Sequence, residues 1–303
     1  MRSTILTVVA LLLALGFSAP LWAQDTTRQQ LEMLNPTPEG QPTQNQPENE
    51  TAEPTNDLGR IIVLKRTPRY EPFRVFSDTQ YLYNSNVLLV PSHPDQDAVF
   101  AQALGASFSP RLIQGLASTV FVRQEFVRYD TLSEFDFDAQ TAGLSLQYPV
   151  RDWFILSSGF EADQYISRRM DDEFLKDYNL SFGIRRGQYL HSRVFLYYGY
   201  QFNWLPTTPG ELTSLNNAVF TGVNVALLQP LTLQLAYRLR GLAYYQGGRF
   251  DYDQTMNASL VYKFNDYINA RAFVSYVNND SDNPNFSYRG LAGGGGLGLM
   301  VRF

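Results

Sequence analysis

The chain has 303 residues, a net charge of −5, no cysteine and two histidines. This composition excludes disulfides, thiolate metal sites and cysteine catalysis, removes most histidine-based sites, and gives no electrostatic footprint for nucleic acid. Beyond the N-terminus, no segment offers 18 continuous apolar residues, which excludes a helical membrane protein. Aromatic residues are abundant, with 19 Tyr and 21 Phe.

The N-terminus has the layout of a secretory signal peptide. Arg2 precedes an apolar stretch from Ile5 to Leu15, and a region of small and polar residues ends in Ala23. The apolar stretch is too short for a membrane span. We therefore predict a signal peptide over 1–23, cleaved near Ala23, and an exported mature protein.

Residues 24–72 are predicted to be a disordered periplasmic linker. The stretch 24–59 is rich in Pro, Gln, Asn, Thr and Glu and has too little apolar surface to form a core. The segment RIIVLKR follows, and Ile61–Leu64 could form one short strand before the prolines at 68 and 72. Three roles for this segment remain open: a plain tail, which we favour, an inserted plug strand, or a docking peptide for a periplasmic partner.

From Phe73 to Phe303, large apolar residues alternate with smaller or polar ones at a period of two. In Val194–Trp204, for example, every second residue is Val, Leu, Tyr, Phe or Trp. This period is typical of β-strands. The predicted segments are 73–84, 98–108, 113–129, 138–148, 153–166, 177–186, 193–205, 217–228, 231–247, 252–264, 267–278 and 289–303.

The connections between these segments alternate between short and long. This arrangement predicts an all-β fold: a transmembrane antiparallel up-and-down β-barrel of about twelve strands over 73–303. A soluble β-sandwich or soluble barrel is the alternative. The segments exceed the usual strand of about 5–6 residues and match the roughly 9–11 residues that cross a bilayer at a tilt. Nearly every segment also carries a large apolar face, which favours the membrane barrel.

Aromatic residues concentrate near the ends of the predicted strands. Tyr and Trp prefer the headgroup zone, so such clusters predict the two interfacial girdles of an outer-membrane barrel. The clusters are Tyr148, Trp153, Phe264 and Tyr267 on the short-turn side, and Tyr81, Tyr83, Phe126, Phe202, Trp204, Tyr244 and Tyr276 on the loop side.

The chain ends in GGGGLGLMVRF, with Leu297, Leu299, Val301 and Phe303 on one face. This stretch resembles the C-terminal signal of bacterial outer-membrane proteins, through the terminal Phe303, the alternating apolar residues and Gly298. Two positions depart from that pattern, because Val301 is not aromatic and Gly296 replaces a residue that is usually polar. The resemblance implies assembly by the barrel assembly machinery, and residence among lipid and lipopolysaccharide in the outer membrane of a Gram-negative-type bacterium.

The glycines of this last strand have two interpretations. Glycine permits a tight bend or the close approach of another backbone, so Gly293–Gly296 are predicted to allow curvature at the closing seam. The second interpretation is that they leave room in the lumen for a ligand or an inserted segment.

The phase of the alternation predicts which charged residues face the lumen. The predicted luminal bases are Arg74, Arg123, Arg185, Arg193, Arg238, Arg240, Lys263, Arg271 and Arg302. The predicted luminal acids are Asp78, Glu125, Glu161 and Asp163. Further acids are assigned to the long loops: Asp171, Asp172, Glu173, Asp251, Asp253, Asp280 and Asp282. The interior is either an ion-pair network that fills the barrel or an arginine-lined passage that prefers anions.

These features predict a small channel or passive transporter, with an anionic solute as its partner. The alternative is a closed, filled barrel with a structural, adhesive or partner-binding role through acidic extracellular loops. Catalysis is not expected: the adjacent His191 and Ser192 do not reproduce the spacing of outer-membrane phospholipases, and Asp171 and Asp172 are merely consecutive. No cofactor or metal is predicted.

Overall fold

The computed structural model describes residues 70–303 except positions 114 and 152. The predicted signal peptide, and the linker up to residue 69, lie outside the described residues. In the part that is described, no helix is long and apolar enough to cross a membrane.

Twelve long antiparallel strands form the body of residues 70–303. Their bounds are β1 (Phe73–Asn84), β2 (Asp97–Phe108), β3 (Leu116–Tyr129), β4 (Phe137–Val150), β5 (Phe154–Ser167), β6 (Asp172–His191), β7 (Val194–Leu205), β8 (Ser214–Leu228), β9 (Leu231–Tyr244), β10 (Phe250–Lys263), β11 (Ile268–Ser281) and β12 (Tyr288–Arg302). Each strand pairs with its neighbours in the chain, and β1 also pairs with β12. The ring is therefore closed and leaves no long strand edge, which confirms the predicted all-β barrel.

Short turns join the strands at the end of the barrel that holds β1's first residue, and longer loops join them at the other end. Two minor strands, Arg111–Ile113 and Thr207–Thr208, lie in the connections between the long strands. Single 3₁₀ turns interrupt three of the loops, at Ser133–Phe135, Gly210–Leu212 and Pro284–Phe286. We call the two ends the turn end and the loop end.

Alternate residues of each strand face outward and inward. In β12, Leu297, Leu299 and Val301 are about half exposed, whereas Gly298 between them is buried. The outward face carries exposed Leu, Val, Phe, Tyr and Trp around the whole ring. This is the apolar surface that lipid requires, while the backbone hydrogen bonds are satisfied between strands.

Several strands extend further toward the loop end than the sequence pattern predicted. β6 covers 172–191 rather than 177–186, and β10 begins at Phe250 rather than at 252. Tyr244, predicted to belong to the outer girdle, faces inward, where the Arg249 guanidinium lies 3.7 Å above its ring. The reason is that polar strand ends beyond the apolar band carry little periodic signal.

The two chain ends of the barrel meet at the closing seam. Phe73 and Phe303 exchange two backbone hydrogen bonds, each 3.1 Å long. The Phe73 ring stacks on Phe108 at 4.8 Å and on Phe303 at 5.7 Å. The terminal aromatic therefore joins the first and last strands on the outer surface.

Candidate functional site

The barrel interior holds the candidate site, and four of its acids lie on three nearby strands. Glu125 on β3, Glu161 and Asp163 on β5, and Asp177 on β6 face inward near mid-barrel or toward the loop end. We call these four carboxylates the acidic wall. Arg238 and Arg240 face inward from β9, which lies six strands from β3 in the ring of twelve. Glu125 therefore lies across the interior from Arg238 and Arg240, and the other three carboxylates lie on strands between them.

Hydrogen bonds link the acidic wall to its neighbours. Thr141 on β4 donates to Asp163 at 2.5 Å and accepts from the Arg123 guanidinium at 3.4 Å. Arg123 Nε also lies 4.0 Å from Glu125 Oε2. Asp163 is only 4% exposed, so its charge depends on these partners rather than on bulk water.

A second ion-pair group lies on β9 and β10, nearer the loop end. Arg240 donates to Asp253 on β10 through Nε and Nη2, both at 2.8 Å, and Asp253 is fully buried. Arg249 pairs with Asp251 at 3.1 Å. The prediction that Asp251 and Asp253 lie in a loop is therefore wrong. Both are strand residues that face inward: β10 starts at Phe250, ahead of the predicted start at 252, and Asp253 already lay within the predicted segment 252–264.

The other acids assigned to loops are divided between strands and loops. Asp172 and Glu173 begin β6, and Asp280 lies in β11, so the loop assignment is wrong for these three. Asp171 and Asp282 lie in loops, as predicted.

Arg271 makes an ion pair that crosses the closing seam. From β11 its guanidinium reaches Asp78 on β1 with two hydrogen bonds of 2.6 Å, and Gln80 at 3.2 Å. The intervening strand is β12, where a Cβ at Gly296 would lie 3.3 Å from Arg271 Cζ and 2.8 Å from the Thr79 carbonyl oxygen. The glycine therefore provides the space in which the arginine crosses, whereas the sequence analysis had considered space for a ligand or an inserted segment.

Bases predominate at the turn end. Arg74 and Arg302 are paired in register across the seam, and Arg185 and Lys263 face inward near the ends of β6 and β10. Arg185 donates to Gln147 at 2.8 Å. We call Arg74, Arg185, Lys263 and Arg302 the basic entrance.

Asp266, in the turn that follows β10, accepts a hydrogen bond from Lys263 at 2.9 Å, and this bond lowers the pKa of the Asp266 carboxyl.

Arg193, which was predicted to line the lumen, lies in the tight turn between β6 and β7 and is exposed. Its position at a turn follows from a strand boundary that the alternation placed one residue too early.

The loop end of the interior is apolar on one side. Buried inward-facing residues of several strands pack into one cluster with Val87 from the β1–β2 loop. Asn86 holds this loop in place by donating to the carbonyl oxygens of Val90 and Arg289, both at 2.9 Å. We call this group the mouth cluster; it includes Leu82, Val87, Val99, Val127, Phe137, Tyr165, Leu175 and Phe273. The sequence pattern did not predict it.

Toward the turn end, inward-facing aromatic rings lie over glycines of neighbouring strands. A Cβ at Gly222 would overlap the ring of Tyr197, and a Cβ at Gly143 would overlap the ring of Phe121. Phe76 covers Gly105 in the same way. Such a ring shields the glycine backbone and lies along the wall instead of projecting toward the axis.

His191 and Ser192 lie at the β6–β7 turn. Their side chains are closer together there than those of neighbouring residues in a strand, which point to opposite faces. Ser192 Oγ lies 3.3 Å from His191 Nδ1, and both residues are exposed at the turn end. Within the described residues, no group of three His, Asp or Glu side chains is arranged to hold a metal ion.

Sequence reasoning missed several inward-facing acids. Asp97 accepts hydrogen bonds from the backbone N–H groups of Thr131 and Leu132, and Asp177 accepts a hydrogen bond from the Tyr165 hydroxyl at 3.3 Å. With Asp251 and Asp253 added, the excess of luminal bases over acids is smaller than predicted. With correct strand bounds, the alternation of inward and outward positions would have identified all four acids as inward-facing.

Comparison with known proteins points to the same architecture. A family model described as "Putative beta-barrel porin 2" matches residues 205–302, about a third of the chain. No curated protein matches the sequence. Among solved structures, the COG4313 outer membrane channel from Pseudomonas putida F1 has a TM-score of 0.56 at 7% identity, over 78% of this chain and 97% of that one.

Two further solved structures are less similar. The KdgM porin in complex with disordered oligogalacturonate has a TM-score of 0.43 at 12% identity, over 74% of this chain and 98% of that one. The anion-selective porin from Comamonas acidovorans has a TM-score of 0.41 at 9% identity, over 77% of this chain and 99% of that one. At such identities the likeness concerns the fold.

Proposed function

We propose that the chain is a Gram-negative-type outer-membrane β-barrel that acts as a small passive channel with a preference for anionic solutes. A ring of about eight strands is just wide enough for its own side chains to fill, and porins of 16–18 strands hold an aqueous channel. A ring of twelve strands lies between these limits. It has room for a narrow passage beyond the space its side chains need.

The observation that carries the proposal is the placement of the inward aromatic rings. Tyr197 and Phe121 lie over glycines of adjacent strands, at Gly222 and Gly143. Large side chains in this position line the wall without occupying the axis. An interior evolved only to be filled would gain more packing from rings that point inward.

Anion preference is attributed to the basic entrance. Arg74, Arg185, Lys263 and Arg302 lie at the turn end, whereas the four carboxylates of the acidic wall lie deeper. Charged rings bias the ions that permeate a pore. An anion entering from the turn end first meets bases, and Arg271 on β11 and Arg238 on β9 lie further in.

A second candidate function is favoured by the mouth cluster. Its apolar residues and the folded β1–β2 loop narrow the loop end on one side. If this cluster closes the passage completely, the protein would act through its loops as a structural, adhesive or partner-binding barrel. The two functions predict opposite results in a permeation assay.

The test is swelling of proteoliposomes that contain the mature chain or a chain that starts at Tyr70. Swelling is compared in glucose and in glucuronate, which differ by one carboxylate. The proposal predicts faster swelling in glucuronate, and loss of this difference when Arg74, Arg185 and Lys263 are replaced by Gln. A folded, inserted barrel that swells no faster than protein-free vesicles in either form would refute the channel and favour the second candidate.

A further inference from the structure

We propose that a small cavity at the loop end of the lumen binds the primary ammonium group of a small amine. The cavity lies between the ends of β6 to β9 and the β7–β8 loop, and Asp177, Asn216 and Tyr244 contribute to its lining. This inference goes beyond the channel function, because a ligand can bind at this end of the barrel whether or not the lumen conducts.

Asn216 supplies the observation that points to a ligand. It is 6% exposed, it borders the cavity, and its Oδ1 atom accepts no hydrogen bond from any of the described residues. Asn203 on β7 is its register partner, and the Oδ1 atom of Asn203 is also buried without a donor in the part of the chain that the structure describes. Buried polar atoms are normally satisfied. Two neighbouring amide oxygens therefore indicate that a hydrogen-bond donor binds here.

Acidic side chains make a cation the favoured donor. Asp177 borders the cavity, is 3% exposed, and accepts a hydrogen bond from the Tyr165 hydroxyl at 3.3 Å. Asp163 on β5 is the register partner of Asp177 and is buried as well. A cation close to a buried carboxylate favours its ionised form. The cavity combines acidic groups with acceptor atoms, and a cationic N–H donor satisfies both.

Two bases lie on the β9 side of the cavity, and each has a carboxylate of its own. Arg240 holds Asp253 with two hydrogen bonds of 2.8 Å. Arg249, whose guanidinium stacks on the lining residue Tyr244, pairs with Asp251 at 3.1 Å. Within each pair the charges compensate each other. These two ion pairs therefore add little net charge to the cavity.

The size and the walls of the cavity narrow the class of cation. Its volume is about 20 Å³, which is enough for one group the size of a water molecule. Leu175, Leu205 and Leu242 supply apolar walls. Ca²⁺ and Mg²⁺ need about six or more oxygen ligands, which such walls do not provide. An ammonium group has the required size and several N–H donors, and its alkyl substituent can lie along the leucines toward the lumen.

The roof of the cavity is held in place by the barrel itself. Thr207 and Leu212 come from the β7–β8 loop. Thr207 pairs in register with Asp177, and its backbone N–H donates to the Thr213 hydroxyl at 3.0 Å. The Tyr245 N–H donates to the Thr213 carbonyl oxygen at 3.1 Å, which ties this loop to the β9–β10 loop. A preformed site has little ordering cost when its ligand binds.

The test uses methylammonium, a small primary amine that is cationic at neutral pH. Saturation-transfer NMR on the full mature chain in detergent micelles reports contact between the protein and the methyl protons. We expect saturation transfer that ammonium chloride displaces. Tetramethylammonium chloride and potassium chloride at the same concentration should not displace it, because these cations have no N–H donor. Absence of saturation transfer, or equal displacement by ammonium and potassium, would overturn the proposal.

Two variants locate the site in barrels that migrate as folded species on unheated gels. Asn216→Leu keeps a side chain of similar size but removes the amide oxygen, and Asp177→Asn removes the charge. Each should weaken methylammonium binding about ten-fold. Asn224→Leu is the matched control, because Asn224 faces the lumen from the same strand toward the turn end, and it should bind like the native chain.

Unchanged binding in both Asn216→Leu and Asp177→Asn would contradict binding in this cavity, and so would an equal loss in Asn224→Leu. The NMR measurement does not require conduction. Its outcome is therefore independent of the swelling test, and either result can fail without the other.

Discussion

Arg271 of β11 and Asp78 of β1 form a two-bond ion pair, with both N–O distances at 2.6 Å, across the strand that separates them. The guanidinium lies over Gly296 of β12. Three strands are therefore joined at the seam where the barrel closes. The side chains are 8% and 18% exposed, so the pair is largely shielded from solvent.

Breaking this pair should destabilise the barrel. Arg271→Met leaves the Asp78 carboxylate buried without its cation, and such a change typically costs about 3–5 kcal/mol. The measurement is urea unfolding of the refolded protein in detergent micelles. The double variant Asp78→Leu with Arg271→Met should recover most of the loss, and a purely additive double variant would contradict the ion-pair account.

The stability of the barrel should depend on the absence of a side chain at Gly296. Gly296→Ala places a Cβ 2.8 Å from the Thr79 carbonyl oxygen and 3.3 Å from the arginine, whereas a Cβ at Gly293 meets only the Phe273 carbonyl oxygen, at 3.5 Å. We expect Gly296→Ala to lower stability by about 1–3 kcal/mol and Gly293→Ala to have little effect. The temperature at which the folded band disappears on gels measures both, and equal shifts would argue against a crossing site.

The number of strands and the faces of most residues within the apolar band could be predicted from the sequence because a period of two is a local property, whereas Tyr244, near a strand end, was assigned to the wrong face. The pairing between strands is not local. Arg240 and Asp253 are direct cross-strand partners, yet their pairing depends on where the β9–β10 hairpin turns, and polar residues there give no periodic signal. Arg271 and Asp78 are 193 residues apart, and only closure of the ring brings them together.

The buried pair of Arg240 and Asp253 should influence both stability and selectivity. Asp253→Asn keeps the shape of a side chain that is fully buried but removes the charge opposite Arg240. We expect lower stability in urea and a stronger preference for anions, because one luminal base loses its counter-charge. The exposed Asp280→Asn is the matched control. An unchanged reversal potential in Asp253→Asn would show that this pair does not affect permeating ions.

The aromatic rings on the wall should stabilise the barrel without restricting it. Tyr197→Ala uncovers Gly222 and removes an aromatic contact worth about 0.5–1.5 kcal/mol beyond its buried area. We therefore expect a clear loss of stability and only a small rise in conductance. A large rise in conductance with unchanged stability would mean that the ring projects into the passage.

The terminal Phe303 should matter for assembly as well as for packing. Its ring stacks on Phe73 at 5.7 Å, and its backbone closes the seam. Phe303→Ala should reduce the amount of folded barrel in outer membranes of an expressing cell more strongly than the yield of refolding in detergent. Equal losses in the two settings would assign the residue a packing role alone.

The most direct test of the channel is single-channel current in a planar bilayer, recorded for the chain that starts at Tyr70 and for the mature chain. A salt gradient then gives the reversal potential. The account predicts steady openings with anion preference in the chain that starts at Tyr70, and a shift toward zero selectivity in Arg238→Ala. Folded, inserted barrels that carry no current in either form would contradict it.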